Sequence, residues 1–453
     1  MRFYDRESEL EILEKAYSRP GSDFIVISGR RRIGKSRLVS EFLKDKEAIS
    51  VQIVPKEEKQ VAKDIEEEIR AKLGYSPPFT TFRDATEYLM EQDAGLIFFD
   101  EFPNVLVVNQ SIPHELQRLW DGYKDKKRIT LIVSGSYAGM MKRLFASKKA
   151  PLFNRATMTI NLEKFSFEIV AGLLSNIGVI SPSEQVSYYC ILGGVPYYYM
   201  LLERLEGPSF KGAVESLFFG VGAQLREEGE NVLRQEFGNA YVKYFAILEA
   251  INAGYVSMNE ISQRLGIRST TLSKYLRSLQ HDFRLVGRAV PFGERAVRSK
   301  KGLYFIQDNT LAFWFAAVYG ELSMPTHNEL NSFIGKRFEG LCREFLAKFV
   351  VDGGERLQQV GKWWGTVEIG KGKYEQREID IVVETDRALY LGECKWTDKP
   401  VGDQELIRLR ESSKRFSDTK KRVRLVFFSK SGFDLPSNEE VLLFDLQKLV
   451  GND

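Results

Sequence analysis

The sequence predicts a multidomain α/β protein, and three observations carry that expectation. An apolar, β-branched run (Phe24 to Ile27) ends at a glycine-punctuated turn that opens a helix. Strand-like runs then alternate with helical stretches as far as Leu162, the pattern of a parallel sheet covered on both faces. After a helical interval and a basic segment, a second alternation of strand and helix occupies residues 331–453.

Phe3-Tyr4-Asp5-Arg6-Glu7 leads into a helical pattern through Leu10, Leu13 and Tyr17, with Asp5 as its expected cap. This segment either packs beside a nucleobase or simply introduces the domain. In the turn that follows, Gly29, Gly34, Lys35 and Ser36 fit G-x-x-x-x-G-K-[ST]. Glycines let backbone N–H groups turn inward around phosphates, and Lys35 reaches the β and γ oxygens. Ser36 offers a hydroxyl to Mg²⁺ at the positive end of the next helix. Arg32, Ile33 and Arg37 complete the expected nucleotide-binding set, with ATP and Mg²⁺ as its ligands.

Ile49 to Val54 reads as a strand, Glu57 to Leu73 and Thr81 to Gln92 as helices, and Leu96 to Phe99 as a strand delivering Asp100 and Glu101. Downstream of a phosphate loop, Asp100 is expected to hold Mg²⁺ through water and Glu101 to polarise the attacking water as general base. Pro113 to Lys126 reads as a helix with proline in its first turn. The strand Ile129 to Val133 ends at Ser134 and Ser136, either of which can read a γ-phosphate. Arg155 precedes the strand Met158 to Leu162; it is either a finger inserted into a neighbouring subunit or an ordinary salt-bridged arginine. This first domain spans residues 1–163.

Residues 164–236 read as a helical lid (Phe167 to Ile177, Ser183 to Leu192, Tyr197 to Leu205) and a glycine- and charge-rich connector over 206–236. Residues 237–325 hold three helices: Ala240 to Asn252, Met258 to Leu265, and Ser269 to Gln280 with Ser269 as cap. Two strands, Phe283 to Val290 and Lys301 to Ile306, flank Pro291-Phe292-Gly293, and together these spell a winged helix-turn-helix. From Tyr255 to Phe305 there are ten Lys/Arg and three Asp/Glu, a local excess of seven in a chain of net charge +3. Lys274 and Arg277 on the third helix, with Arg295, Arg298, Lys300 and Lys301 on the wing, are the expected contacts to a DNA backbone. A winged helix that serves as a protein–protein spacer is the alternative.

Residues 326–453 form the last α/β unit. Its helix Phe333 to Val350 includes Glu339, its strand Glu378 to Val383 includes Asp380, and the strand from Ala388 ends in Glu393 and Lys395. Period two puts Glu393 and Lys395 on one strand face. Asp380, Glu393 and Glu339 can hold a hard divalent cation, and Lys395 can orient the water it activates against a phosphodiester. A plain salt bridge is the alternative.

Bulk properties narrow the class. The 453-residue chain is 43% hydrophobic, enough for several cores, and its near-neutral charge means that nucleic-acid affinity must come from local patches. Cys190, Cys342 and Cys394 lie far apart, which argues against a disulfide framework or zinc site and for a reducing compartment. No stretch reads as a signal peptide or membrane span, so a cytoplasmic protein without membrane partners is expected.

Gly29-Arg-Arg-Arg-Ile-Gly-Lys-Ser36, Phe99-Asp100-Glu101-Phe102, Val133-Ser-Gly-Ser136, Pro151-Leu-Phe-Asn-Arg155 and Gly193-Gly-Val-Pro-Tyr197 together resemble the archaeal-type ATPases of the AAA+/STAND-like P-loop group. Gly392-Glu-Cys-Lys-Trp396 is similar to that family's C-terminal domain of uncharacterised function, which is similar in turn to the PD-(D/E)XK nuclease fold. The resemblance implies Lys35 and Ser36 on phosphates and Mg²⁺, Asp100 and Glu101 as the acidic pair, Ser136 (or Ser134) as sensor, and Arg155 as the finger. In the tail it implies Asp380, Glu393 and Lys395 as the nuclease-fold signature, with Glu339 as its first-helix glutamate. The leading expectation is an ATP-hydrolysing, DNA-associated protein with a Mg²⁺-dependent nuclease domain. Its rivals are an ATP-switched DNA-binding regulator whose tail is inactive and a scaffold that never touches DNA. A finger acting in trans would make the protein a homo-oligomer.

Overall fold

Five apolar runs build the first sheet. A computed structural model describes residues 3–451 except 93–94, 137, 206–208, 296–298 and 371. In it, β1 (Asp23–Gly29), β2 (Ile49–Gln52), β3 (Leu96–Asp100), β4 (Thr130–Gly135) and β5 (Met158–Leu162) pair in the order β2-β3-β4-β1-β5, all parallel. Period two sends Phe24, Val26, Phe99 and Val133 into one apolar layer with Trp120. The alternate residues Ile25, Ile27, Phe98 and Ile132 enter the other, with Leu38 and Phe42. Phe24 meets Trp120 edge-to-face at 5.2 Å; truncating such a fully buried ring to alanine costs about 3–5 kcal/mol. Because the strands are parallel, Gly29, Asp100 and Gly135 all end on one edge of the sheet, where ligands of open α/β sheets bind.

The helix Glu7–Ser18 corrects one expectation. Its N-cap position is Arg6, without a side-chain cap bond, and Asp5 lies at φ +42°. Arg6 instead bonds Glu9 (2.9 Å) and the Glu163 carbonyl (2.6 Å), which sets where the helix begins.

Residues 1–164 with 195–197 form one compact unit, and 165–194 with 198–453 a second. The second unit therefore contains nearly all of the three later divisions read from the sequence. Its supposed connector is helical: Phe210–Phe218 buries Val214, Leu217 and Phe218, and Glu228–Phe237 buries Val232, Leu233 and Phe237. The charge run at 226–230 hides an apolar face at helical spacing.

Helices Tyr241–Asn252, Met258–Leu265 and Ser269–His281 follow, then the antiparallel pair β6 (Val286–Ala289) and β7 (Leu303–Ile306). Ser257 and Glu260 cap the second of these helices reciprocally. Ser269 is the first residue of the third helix and not its cap, a position held by Arg268.

The C-terminal sheet runs β12-β11-β10-β9-β8, from β8 (Leu357–Gly370), β9 (Lys373–Thr385), β10 (Ala388–Lys395), β11 (Arg422–Ser429) and β12 (Val441–Asp445). β8, β9 and β10 pair antiparallel, whereas β10, β11 and β12 are parallel. The helix His327–Asp352 packs on this sheet and starts before Phe333 because Thr326 and Glu329 form a capping box. Between the pairs Gly361↔Val382 and Trp363↔Ile379 there is one residue on β8, Lys362, against two on β9, Asp380 and Ile381. This bulge lets Ile379 and Val382, three apart, enter the same apolar cluster, and it re-aims Asp380. Among the described residues no helix is long and apolar enough to cross a membrane.

Candidate nucleotide site and a second acidic site

The phosphate loop leaves β1 and turns into the helix Lys35–Phe42. A side chain at Gly29 would put Cβ 2.8 Å from the Leu162 carbonyl oxygen, and Gly34 sits at φ +96°, where a Cβ is strained. The buried Lys35 ammonium donates to the Gly29 and Arg30 carbonyls, each at 3.1 Å, so it lies over the loop. Arg32, at φ +66°, stacks its guanidinium 4.2 Å from the Tyr197 ring centroid. The Ile33 side chain is buried in the apolar layer under the loop, and Arg37 is exposed on the helix.

The end of β3 meets this loop. Ser36 Oγ donates to Asp100 Oδ2 at 2.6 Å, and Ser134 Oγ donates to Asp100 Oδ1. Ser136 Oγ donates to Glu101 Oε1 at 2.7 Å, while Glu101 Oε2 is buried and, among the described residues, has no hydrogen-bond partner. Glu101 sits in the left-handed region, at φ +48° and ψ +39°, which costs a non-glycine residue roughly 1–2 kcal/mol. The Glu101 N–H reaches back to Asp100 Oδ1 at 2.9 Å. Each serine at the end of β4 thus holds one carboxylate of the pair.

Arg155 lies elsewhere. Thr157 bonds Asp23, and Ile25 is in register with Met158, so Arg155 is at the edge where β1 begins. The phosphate loop leaves the opposite edge, about 20 Å away along the strand. Arg155 bonds Asp121 at 2.9 and 3.3 Å, the ion pair foreseen as its plainer reading.

The C-terminal residues gather as a second acidic site. Asp380 Oδ2 accepts the Cys394 N–H at 2.9 Å, and Lys395 donates to Glu393 Oε1 at 2.6 Å. Burial, then the facing Glu393 and Glu339, push the Asp380 carboxyl up to about 7. Burial also raises Glu339, Lys362 pulling it back and Glu378 adding to the rise. For Lys395, burial opposes the charged form, but Glu393 and Asp380 outweigh it and its pKa is raised. Among the described residues no group of three or more His, Cys, Asp or Glu side chains stands ready to hold a metal ion. The three carboxylates are near neighbours, not a closed cage.

Sequence reading missed three members of this site. Arg343 donates to the Asp380 carbonyl at 3.0 Å, and Lys362 pairs with Glu378 at 2.8 Å. Arg343 stands one helical turn beyond Glu339 and Glu378 two residues before Asp380, spacings that could have pointed to both. Nothing local marks Lys362, which arrives through the β8–β9 register. Of the basic residues read as DNA contacts, Lys274, Arg277, Arg295 and Lys300 are exposed, and Arg298 lies outside the described residues. Lys301 pairs with Glu294 at 2.8 Å, and Arg288 donates to the Ser299 carbonyl at 2.7 Å, so these two brace the loop between β6 and β7.

A parallel sheet with a phosphate loop after its first strand and an acidic pair after its third defines a P-loop ATPase domain. Residues 3–202 match a family described as an ATPase domain predominantly from Archaea. Residues 311–410 match archaeal and bacterial proteins of unknown function. The chain is 29% identical to an uncharacterized protein of Methanocaldococcus jannaschii, over 98% of this chain and 99% of that one. A Walker-type ATPase of Pyrococcus abyssi shares the fold, with a TM-score of 0.53 and 18% identity across 69% of this chain and 96% of that one. The ORC2 protein of Aeropyrum pernix aligns at a TM-score of 0.48 and 14% identity, over 74% of this chain and 96% of that one. The phosphate loop, the acidic pair and the match over residues 3–202 make the N-terminal part an ATP-binding, ATP-hydrolysing domain.

Proposed function

We propose that this protein is a Mg²⁺-dependent ATPase that associates with DNA through a winged helix-turn-helix over 237–325 and cleaves it with a PD-(D/E)XK-like domain over 326–453. The reading of the ATPase rests on one observation, the two serines that hold Asp100 and Glu101 while Glu101 Oε2 stays buried without a partner among the described residues. Lys35 binds the β and γ phosphate oxygens in exchange for its carbonyl partners. The hydroxyl of Ser36 and the carboxylate of Asp100 are hard oxygen donors that would hold Mg²⁺, which when bound polarises the phosphoryl group. Glu101 takes the proton of the attacking water at Oε2, with Ser136 fixing its rotamer and Ser134 fixing Asp100.

Support for the nuclease comes from the four residues Asp380, Glu393, Glu339 and Lys395, drawn together from two strands and a helix. Carboxylates that crowd one another in this way have the donor chemistry of a hard divalent site, where a bound cation would activate water against a phosphodiester. Lys395 then stabilises the charge that develops on the phosphate. Exposed Lys274, Arg277, Arg295 and Lys300 supply backbone contacts. The test is incubation of the purified protein with linear and branched DNA in Mg²⁺, with and without ATP, beside Glu393→Ala. Cleavage that disappears in the variant supports the nuclease. Intact DNA in every lane, with ATP still hydrolysed, would overturn it and leave an ATP-switched DNA-binding protein.

A further inference from the structure

β8 carries two adjacent tryptophans in different surroundings. Trp363 is buried, pairs with Ile379 and packs edge-on to Phe416 at 6.0 Å. Trp364 is only half-buried and, among the described residues, makes no ring–ring contact. Its cross-strand partner is Glu378, two residues before Asp380. Lys362 sets its ammonium 5.6 Å from the Trp364 ring centroid while pairing with Glu378. The bulge places that same Lys362 opposite Asp380 and Ile381. An indole with a lysine at its side therefore borders the second acidic site.

Lys362 also anchors the wing. Its carbonyl accepts the Phe292 N–H at 2.8 Å, and Pro291 bridges to it. The loop that displays Arg295 and Lys300 is thus tied to the strand that displays Trp364.

We propose that Trp364 is a stacking platform for an unpaired nucleobase, so that the C-terminal site takes DNA where a single-stranded segment adjoins a duplex. The inference rests on the DNA reading above and names its substrate class. An intact duplex stacks its bases on one another and offers a protein only backbone and groove edges. An indole plane finds a base face where a base is unpaired or flipped out, and an aromatic ring beside cations is the usual platform for a single strand. Lys362, Lys395 and Arg343 sit beside the acidic cluster, and Arg295 and Lys300 on the anchored wing supply charge for the adjoining duplex.

The experiment uses the full chain carrying Asp380→Asn, which keeps the strand intact, and adds Trp364→Thr (a strand former without a ring) or Trp364→Phe. Anisotropy of fluorescein-labelled duplex, single-stranded and forked oligonucleotides gives the affinities. The threonine variant is expected to bind fork and single strand roughly tenfold more weakly, with duplex binding unchanged and phenylalanine restoring most of the loss. A 2-aminopurine in the single-stranded arm is expected to be quenched by the parent and by Trp364→Phe, and not by Trp364→Thr. Equal binding of the fork by parent and Trp364→Thr, or an equal loss on duplex, overturns the proposal alone. A parent that binds no DNA of any form overturns the DNA reading and this inference with it.

Discussion

Ser136 donates to one oxygen of Glu101 at 2.7 Å and leaves the other oxygen buried, without a partner among the described residues. A carboxylate held at one oxygen has a fixed direction for the other, which is what a base acting on a single water requires. Glu101→Gln is expected to lower the ATPase kcat by about 10²–10⁴-fold, the usual share of a general base, with nucleotide affinity retained. Ser136→Ala is expected to move kcat in the same direction by less. Phosphate release, measured beside binding of a fluorescent nucleotide, separates the two effects; equal loss of binding in Glu101→Gln would reassign that residue to affinity.

Lys35 is the buried cation over the phosphate loop. A ligand at a hundred times its Kd stabilises a fold by about 2.7 kcal/mol, so a slowly hydrolysed ATP analogue is expected to raise the wild-type Tm by several degrees. Lys35→Ala is expected to abolish that rise. Differential scanning fluorimetry reads it directly.

Arg155 stands at the sheet edge away from the loop and is bonded to Asp121. Arg155→Ala is therefore expected to leave the ATPase rate of the dilute protein unchanged. The part-exposed pair contributes on the order of 1 kcal/mol or less, so Tm should fall only slightly. A large loss of activity at high dilution would contradict this placement.

Asp380 has its carboxyl pushed up to about 7 by burial, with Glu393 and Glu339 adding to it. The folded state binds this proton more tightly than the unfolded chain does. Its contribution to stability is therefore greatest at low pH and falls as pH rises from the ordinary aspartate range through about 7. In the presence of a chelator, the Tm of wild type minus that of Asp380→Asn is expected to become more negative between pH 5 and pH 8. A difference that is flat across that window would show that Asp380 ionises as an ordinary surface carboxylate.

Much of the nucleotide site was legible because its chemistry is contiguous. The strand, the loop and the helix start follow one another from Phe24 to Phe42, and Asp100 and Glu101 are neighbours in sequence. Which serine serves which carboxylate was not legible, because Ser134 and Ser136 share a strand end and only the approach of β4 to β3 distributes them. β8 was missed because glycines and glutamines interrupt its alternation, and pairing with β9 makes it a strand. β11 and β12 are plain apolar runs that period two alone could have found.

By itself the sequence determined that a phosphate loop and an acidic pair are present, that the first sheet is parallel, and that acidic residues and a lysine lie on the C-terminal strands. Those properties follow from residue type at short spacing, which the backbone's periods of 2 and 3.6 translate into faces. Only the tertiary structure decided that Arg155 belongs to the far edge, that the loop between β6 and β7 is tied to β8, and that Lys362 and Trp364 border the site of Asp380. These are matters of strand order, register and one bulge. They depend on pairings between distant segments, and no local pattern encodes a residue's neighbour across a sheet.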